Sequence, residues 1–261
     1  MEFCNKIEYT VSGVLSETET TETETTETKT TVTETIIEDR KGTKLPVILD
    51  VTSDVLVSSV IKGVPQIMRE SNWVIRGLLC CGAYPDGPYD IDILFNSGIR
   101  MVINCTKERK DCPLPSSMEK IRVPLEDKKT IPDEKLLEVI DICENICNMM
   151  LFEQQKVYIH CYGGHGRTGL LVCIILHLLY GYTAEEAIDK AQSLHHMRPS
   201  VPPDTDSSGN VIHEMVRMPQ TDEQIQQLHM LFGEEKDSTS EYNIFREYLA
   251  LKRQSIIEKL N

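Results

Sequence analysis

The chain's 261 residues, 40% of them hydrophobic, suffice to bury one sizeable core, so one principal folded domain is expected. Its net charge of −14, from 41 acidic and 27 basic side chains, argues against nucleic acid and against an anionic membrane surface as partners, because the overall field repels both. Nine cysteines without disulfide-framework spacing, and an N-terminus that soon turns polar, point to a reducing compartment, cytoplasmic or nuclear, while the longest apolar run, Gly169 to Tyr180, is too short to cross a bilayer.

Residues 17–35 are threonine and glutamate interrupted only by Lys29 and Val32, with no apolar face whose burial could offset backbone ordering. A disordered tail over 1–44 is expected, either a solubilising spacer or, through its threonines, a target for acid-directed kinases. A lead-in segment spans 45–71. From 72 to 235 the pattern is that of an α/β domain. Val74 to Ala83 reads as a strand pair turning at Arg76-Gly77, Tyr84 to Pro88 as a loop and Tyr89 to Ser97 as a short helix. Strands follow at Ile99 to Asn104 and Lys120 to Pro124. Asp133 to Phe152 is a long amphipathic helix with Leu136, Leu137, Ile140, Ile146 and Met150 along one side. Lys156 to His160 is a buried strand, Gly169 to Tyr180 a buried helix and Ala184 to Leu194 a further helix. A Pro/Gly-rich loop runs from Arg198 to about Met218, and helices close the chain at Thr221 to Phe232 and Glu241 to Leu260. Alternating strands and helices imply a mostly parallel central sheet flanked by helices on both faces, with ligands beyond the carboxyl ends of the strands. The last helix, within 236–261, is too apolar for a free tail: it packs on the domain, or it binds a partner or dimerises.

Between the central strand and the buried helix lies His160-Cys161-Tyr162-Gly163-Gly164-His165-Gly166-Arg167-Thr168-Gly169. Glycines let the successive amides of Tyr162, Gly163, Gly164, His165 and Gly166 curl into an anion-binding nest, and the helix N-terminus adds about half a positive charge. Cys161 at its base meets amide dipoles, a helix end and Arg167, all of which favour thiolate over thiol. Arg167 can fold back and clamp two oxygens of a phosphate with its planar fork. Thr168 can point its hydroxyl at the sulfur, and His160 supports the loop rather than acting as a base. Adjacent His160 and Cys161 cannot both reach one tetrahedral centre, and no Cys-x2-Cys or His-x3-His pair occurs, so neither metal nor cofactor is expected.

This segment meets every fixed position of H-C-x-x-G-x-x-R-[ST]-G and so resembles the signature loop of the cysteine-based protein tyrosine phosphatases. It is most similar to the dual-specificity and cyclin-dependent-kinase-associated types, whose loops also read His-Cys-Tyr-Gly-Gly, and the resemblance extends over roughly Asn72 to Leu231. It implies a phosphatase domain in which Cys161 is the nucleophile, Arg167 the phosphate clamp and Thr168 an aid to the leaving sulfur. A leaving oxygen also needs a proton. Of Glu126, Asp127 and Asp133, the last reads as a helix cap, whereas Pro124-Leu125-Glu126-Asp127 resembles the acid loop of the dual-specificity group and makes Asp127 the general acid. The Trp-Pro-Asp triplet of the larger tyrosine-specific enzymes is missing. Pro219-Gln220-Thr221-Asp222-Glu223-Gln224 resembles a Gln-Thr-x-x-Gln stretch that supports the hydrolytic water, through Gln224.

Lipid-directed relatives carry lysines in the loop. This one carries Tyr162 and His165, which favours a single phosphate on a phosphorylated protein substrate. A partly cationic His165 leaves phosphoinositides open. RNA 5′-triphosphate hydrolysis is a further alternative, as is a phosphate-binding module without turnover.

Overall fold

The computed structural model describes residues 68, 70–198, 216–233 and 240–260. The Thr/Glu-rich tail over 1–44, most of the lead-in segment 45–71 and most of the loop after Arg198 lie outside the described residues.

Among the described residues, five strands and six helices follow in the expected order: β1 (Ser71–Ile75), β2 (Leu79–Gly82), α1 (Pro88–Asn96), β3 (Ile99–Thr106), β4 (Glu119–Leu125), α2 (Asp133–Phe152), β5 (Lys156–His160), α3 (Gly166–Tyr180), α4 (Ala184–His195), α5 (Asp222–Phe232) and α6 (Ser240–Leu260). The sheet order is β1-β2-β5-β3-β4, parallel throughout except for β1, which pairs antiparallel with β2 across the turn that Gly77 closes at φ +73.

Register explains both faces. Tyr158 on β5 lies opposite Cys80 and Val102, and all three join Leu94 of α1 in one apolar cluster. Their neighbours Ile159, Cys81 and Ile103 alternate to the other face, where α2 and α3 pack. The sheet is thus covered on both sides, as a parallel sheet requires.

α3 is buried all round, with Leu170 through Leu176 at or near zero exposure, and each such aliphatic side chain contributes roughly 1.5–3 kcal/mol by leaving water. It begins three residues earlier than periodicity alone suggests, because Gly166, Arg167 and Thr168 form its first turn. It ends at Gly181, whose left-handed φ of +68 turns its N–H onto His177 O. α6 packs on α2, α3 and α5, burying Tyr242, Leu249 and Ile256, while Lys252 bridges Asp141 and Glu144 of α2 at 2.8 Å each. Among the described residues no single helix is long and apolar enough to cross a membrane.

Candidate active site

β5 ends at His160, so Cys161 stands at the carboxyl edge of the sheet's central strand, 3% exposed. Gly164 N donates to Cys161 Sγ at 3.2 Å. That geometry needs Gly164 at φ +75, and a Cβ there would lie 2.3 Å from the Gly82 carbonyl carbon. Both the left-handed backbone and the contact exclude any side chain. Gly164→Ala should lose at least about 2 kcal/mol of stability, from strain plus overpacking. An unchanged thermal midpoint would show that the loop has room.

A buried guanidinium underlies this turn. Arg198 donates through Nη1 to Gly164 O (3.0 Å), through Nε to Asn72 Oδ1 (2.6 Å) and through Nη2 to Cys81 Sγ (3.4 Å). His160 supports the loop from the strand side. Burial pushes it down to about 4, so the ring is neutral near pH 7. Because a carbonyl can only accept, its Nδ1 carries the proton and donates to Cys161 O at 3.1 Å. The ring stacks on Tyr158 and meets Tyr84 edge-on.

His165 departs from the partly cationic side chain expected of it. Its Nδ1 lies 2.7 Å from His195 Nε2, and burial together with the Arg198 charge brings it down to about 4. His195 falls to about 3 by burial, again beside Arg198. Both rings are therefore neutral at pH 7.

Arg167 is 1% exposed on the first turn of α3, whose N-terminus has no side-chain cap. Its Nη1 donates to both oxygens of Glu108 (2.8 and 2.7 Å) and to Leu125 O (3.3 Å). Partial burial works against the Glu108 carboxylate, but the bonds and charge of Arg167 outweigh it and hold the carboxyl below the usual range. Nη2 lies 3.0 Å from Asp127 Oδ1 without hydrogen-bond alignment, and Nε and Nη2 have no hydrogen-bond partner. Two buried donors of the fork thus make no hydrogen bond, and one of them is ion-paired with Asp127. Thr168 Oγ1 is likewise buried without a partner and makes no bond to Cys161 Sγ.

Of the three carboxylates, only Asp127 reaches the loop. Glu126 pairs with Lys107 in solvent at 2.6 Å. Asp133 is not a cap, since Pro132 occupies that position; it is the first residue of α2, favourable to the helix dipole, and accepts from Tyr242 Oη at 3.3 Å. Asp127 itself is 59% exposed. Its segment is anchored before it by Leu125 O, which accepts from Lys107 N as well as Arg167, and after it by α5. There Gln224 Nε2 donates to Lys129 O (2.9 Å), while Gln227 brackets Ile131, accepting from its N (2.8 Å) and donating to its O (2.7 Å). Gln224 also abuts the loop: a Cβ on Gly166 would come within 2.8 Å of its Oε1. That oxygen is spent on the N–H groups of Gln220 and Thr221 in the α5 capping box, which leaves one Nε2 hydrogen free of these bonds.

Sequence reasoning missed Glu108, Arg198, His195 and Gln227. None belongs to a recognisable pattern, although Glu108, two residues past β3, lies at the strand edge where ligands gather. Among the described residues no group of His, Cys, Asp and Glu could hold a metal ion.

A family model described as "PTP-SAK: Swiss Army Knife protein, DSP-PTPase phosphatase domain" matches residues 68–209. "Putative tyrosine phosphatase 197R" of Invertebrate iridescent virus 6 is 28% identical over 138 residues, 51% of this chain and 48% of that protein. "Putative tyrosine phosphatase 067L" of Invertebrate iridescent virus 3 is 23% identical over 137 residues, 51% of this chain and 57% of that protein. The matches thus span about half the length of these curated relatives. Among solved structures, kinase associated phosphatase with its catalytic-site cysteine replaced by serine is 21% identical, with 62% of this chain and 88% of that chain covered at a TM-score of 0.42.

Proposed function

The chain belongs to the DSP-PTPase phosphatase family, whose model covers more than half of it, and from that premise we propose that it hydrolyses phosphotyrosine, and phosphoserine or phosphothreonine beside it, on protein substrates through a cysteinyl-phosphate. One observation carries this reading: Arg167 is fixed by Glu108 through Nη1, leaving Nε and Nη2 of the buried fork beside Cys161 without a hydrogen bond, Nη2 held only by its ion pair with Asp127. A tetrahedral oxyanion supplies two oxygens at the spacing of that fork.

Cys161 Sγ attacks phosphorus in line, Arg167 and the loop amides hold the equatorial oxygens, and Asp127 gives its proton to the leaving oxygen. Entry of the phosphate takes the Nη2 partner away from Asp127 and frees that carboxyl to stand over the leaving group. In the second half Asp127 takes a proton from water as the water attacks phosphorus, and Sγ leaves as thiolate. Thr168 Oγ1, with no competing partner, is free to turn its hydroxyl to that sulfur. The loop between Cys161 and Arg167, with three glycines, Tyr162, a neutral His165 and no lysine, suits one phosphate better than a polyphosphate.

Asp127→Ala should slow a phosphopeptide by about 10²–10⁴-fold, the usual contribution of a general acid, yet barely slow an aryl phosphate whose phenolate leaves unaided. Equal losses on both would remove Asp127 from the role. The reading as a whole is tested by acid-quenching the protein within milliseconds of mixing with ³²P-labelled phosphopeptides, inositides or 5′-triphosphate RNA. Label on Cys161 from phosphopeptides is the expected result, and label only from the lipid or the RNA would overturn the substrate class.

A further inference from the structure

Glu108 and Arg109 are adjacent and serve opposite parts of the loop. While Glu108 grips Arg167, the Arg109 guanidinium carbon lies 4.7 Å from the ring centroid of Tyr162, the residue after Cys161, and 5.2 Å from that of Tyr84. Contact with two aromatic rings restricts a side chain that otherwise samples many rotamers, and it uses none of the guanidinium's hydrogen-bonding capacity for a carboxylate or phosphate. The Tyr84 ring is tied to the fold, its Oη donating to Lys110 O (3.1 Å), and the two tyrosine backbones are joined by Tyr84 N donating to Tyr162 O (2.9 Å). The Arg109 backbone is held as well, its carbonyl accepting from Arg122 Nη2 at 2.7 Å.

The neighbouring carboxylates are spent elsewhere. Glu108 is bound to Arg167, and Asp111 accepts from Asn104 (3.0 Å) and faces Lys120 (3.4 Å) and Arg122 (3.7 Å). The Arg109 side chain has no hydrogen bond and no ion pair among the described residues. In a protein of net charge −14, such an arginine is a localised exception to a repelling field. It is pre-positioned, which lowers the entropy lost when an anion binds.

We infer that Arg109, held against Tyr84 and Tyr162 at the rim of the loop, is a subsite for a second anionic group close to the phosphorylated residue of a protein substrate. The subsite presupposes the phosphatase reading above and specifies which phosphoproteins it takes: those with an acidic side chain or a second phosphate in reach of the first. Both present paired oxygens to the guanidinium fork.

The test compares matched phosphopeptides that differ only in a neighbouring residue, which is Ala, Asp or a second phosphoresidue, assayed with the full chain and with Arg109→Ala and Arg109→Lys. The unaltered protein is expected to prefer either anionic neighbour over Ala by about tenfold in kcat/KM, the scale of one charge-assisted pair. The preference should shrink as salt is raised. Arg109→Ala should bring the ratio to about one, and Arg109→Lys, which keeps charge without the planar fork, to an intermediate value. The Asp and phosphoresidue arms separate the two anion sources. A ratio near one in the unaltered protein, or a ratio that survives Arg109→Ala, would overturn the subsite even with brisk turnover. Failure of every phosphopeptide would overturn the protein-substrate reading itself, and an Arg109-dependent preference confined to inositol bisphosphates would reassign the anion to lipid.

Discussion

Cys161→Ser should lower turnover by about 10⁴-fold or more while the protein still binds phosphate or a substrate phosphopeptide. In the proposed mechanism Cys161 Sγ is the reacting atom, and losing it removes the covalent route altogether rather than weakening one interaction within it. A serine hydroxyl stays protonated at neutral pH, so no anion faces the phosphorus. The rest of the site is independent of sulfur. Arg167 is still positioned by Glu108 and Leu125 O, and Gly164 is still held by Arg198 through its carbonyl. Affinity should therefore hold. Calorimetric titration with a phosphopeptide checks this, and loss of binding in step with loss of turnover would show that the sulfur organises the loop instead of attacking from it.

Arg167→Lys should cost about 10³-fold in kcat, within the range found when an arginine that stabilises a transferring phosphoryl group is removed. In the proposed mechanism the guanidinium does two things at once: Nη1 holds Glu108 and Leu125 O, and the remaining fork, which makes no hydrogen bond, takes the phosphate in exchange for its ion pair with Asp127. An ammonium is a point charge and cannot serve both. It would remain with Glu108, whose carboxylate is half exposed and close, and leave the phosphate with backbone donors alone. The double variant Arg167→Lys with Glu108→Gln separates the two duties. If Glu108 competes for the ammonium, removing its charge should recover part of the phosphate affinity lost in the single variant. A single variant with unimpaired kcat would deny Arg167 any role in holding the transition state.

The two residues with the largest expected effects were legible because they lie six positions apart on one turn. Strand β5, the glycines and the apolar helix α3 locate them locally, and a Cys-to-Arg spacing set by one loop needs no tertiary information. The bounds of α2 and β5 were legible for the same reason, since a periodic apolar stripe and a short buried run each signal themselves. The choice among Glu126, Asp127 and Asp133 was not legible from these residues alone. Adjacent side chains at the end of a strand diverge, so the fold decides which meets Arg167 and which meets Lys107. Asp133 misled because an aspartate near a helix start is a cap only if the residue before the first turn is not already fixed, and here Pro132 fills that position.

By itself the sequence determined the sheet-forming runs, the helices and the glycine-rich strand-to-helix turn, since these depend on interactions within a few residues. Tertiary structure alone decided what holds that turn. Glu108 meets Arg167 across 59 positions, Arg198 meets Gly164 across 34 and His165 meets His195 across 30. Partners so distant along the chain are brought together by strand order and helix packing, and a buried charge or polar ring takes whichever neighbour that packing delivers.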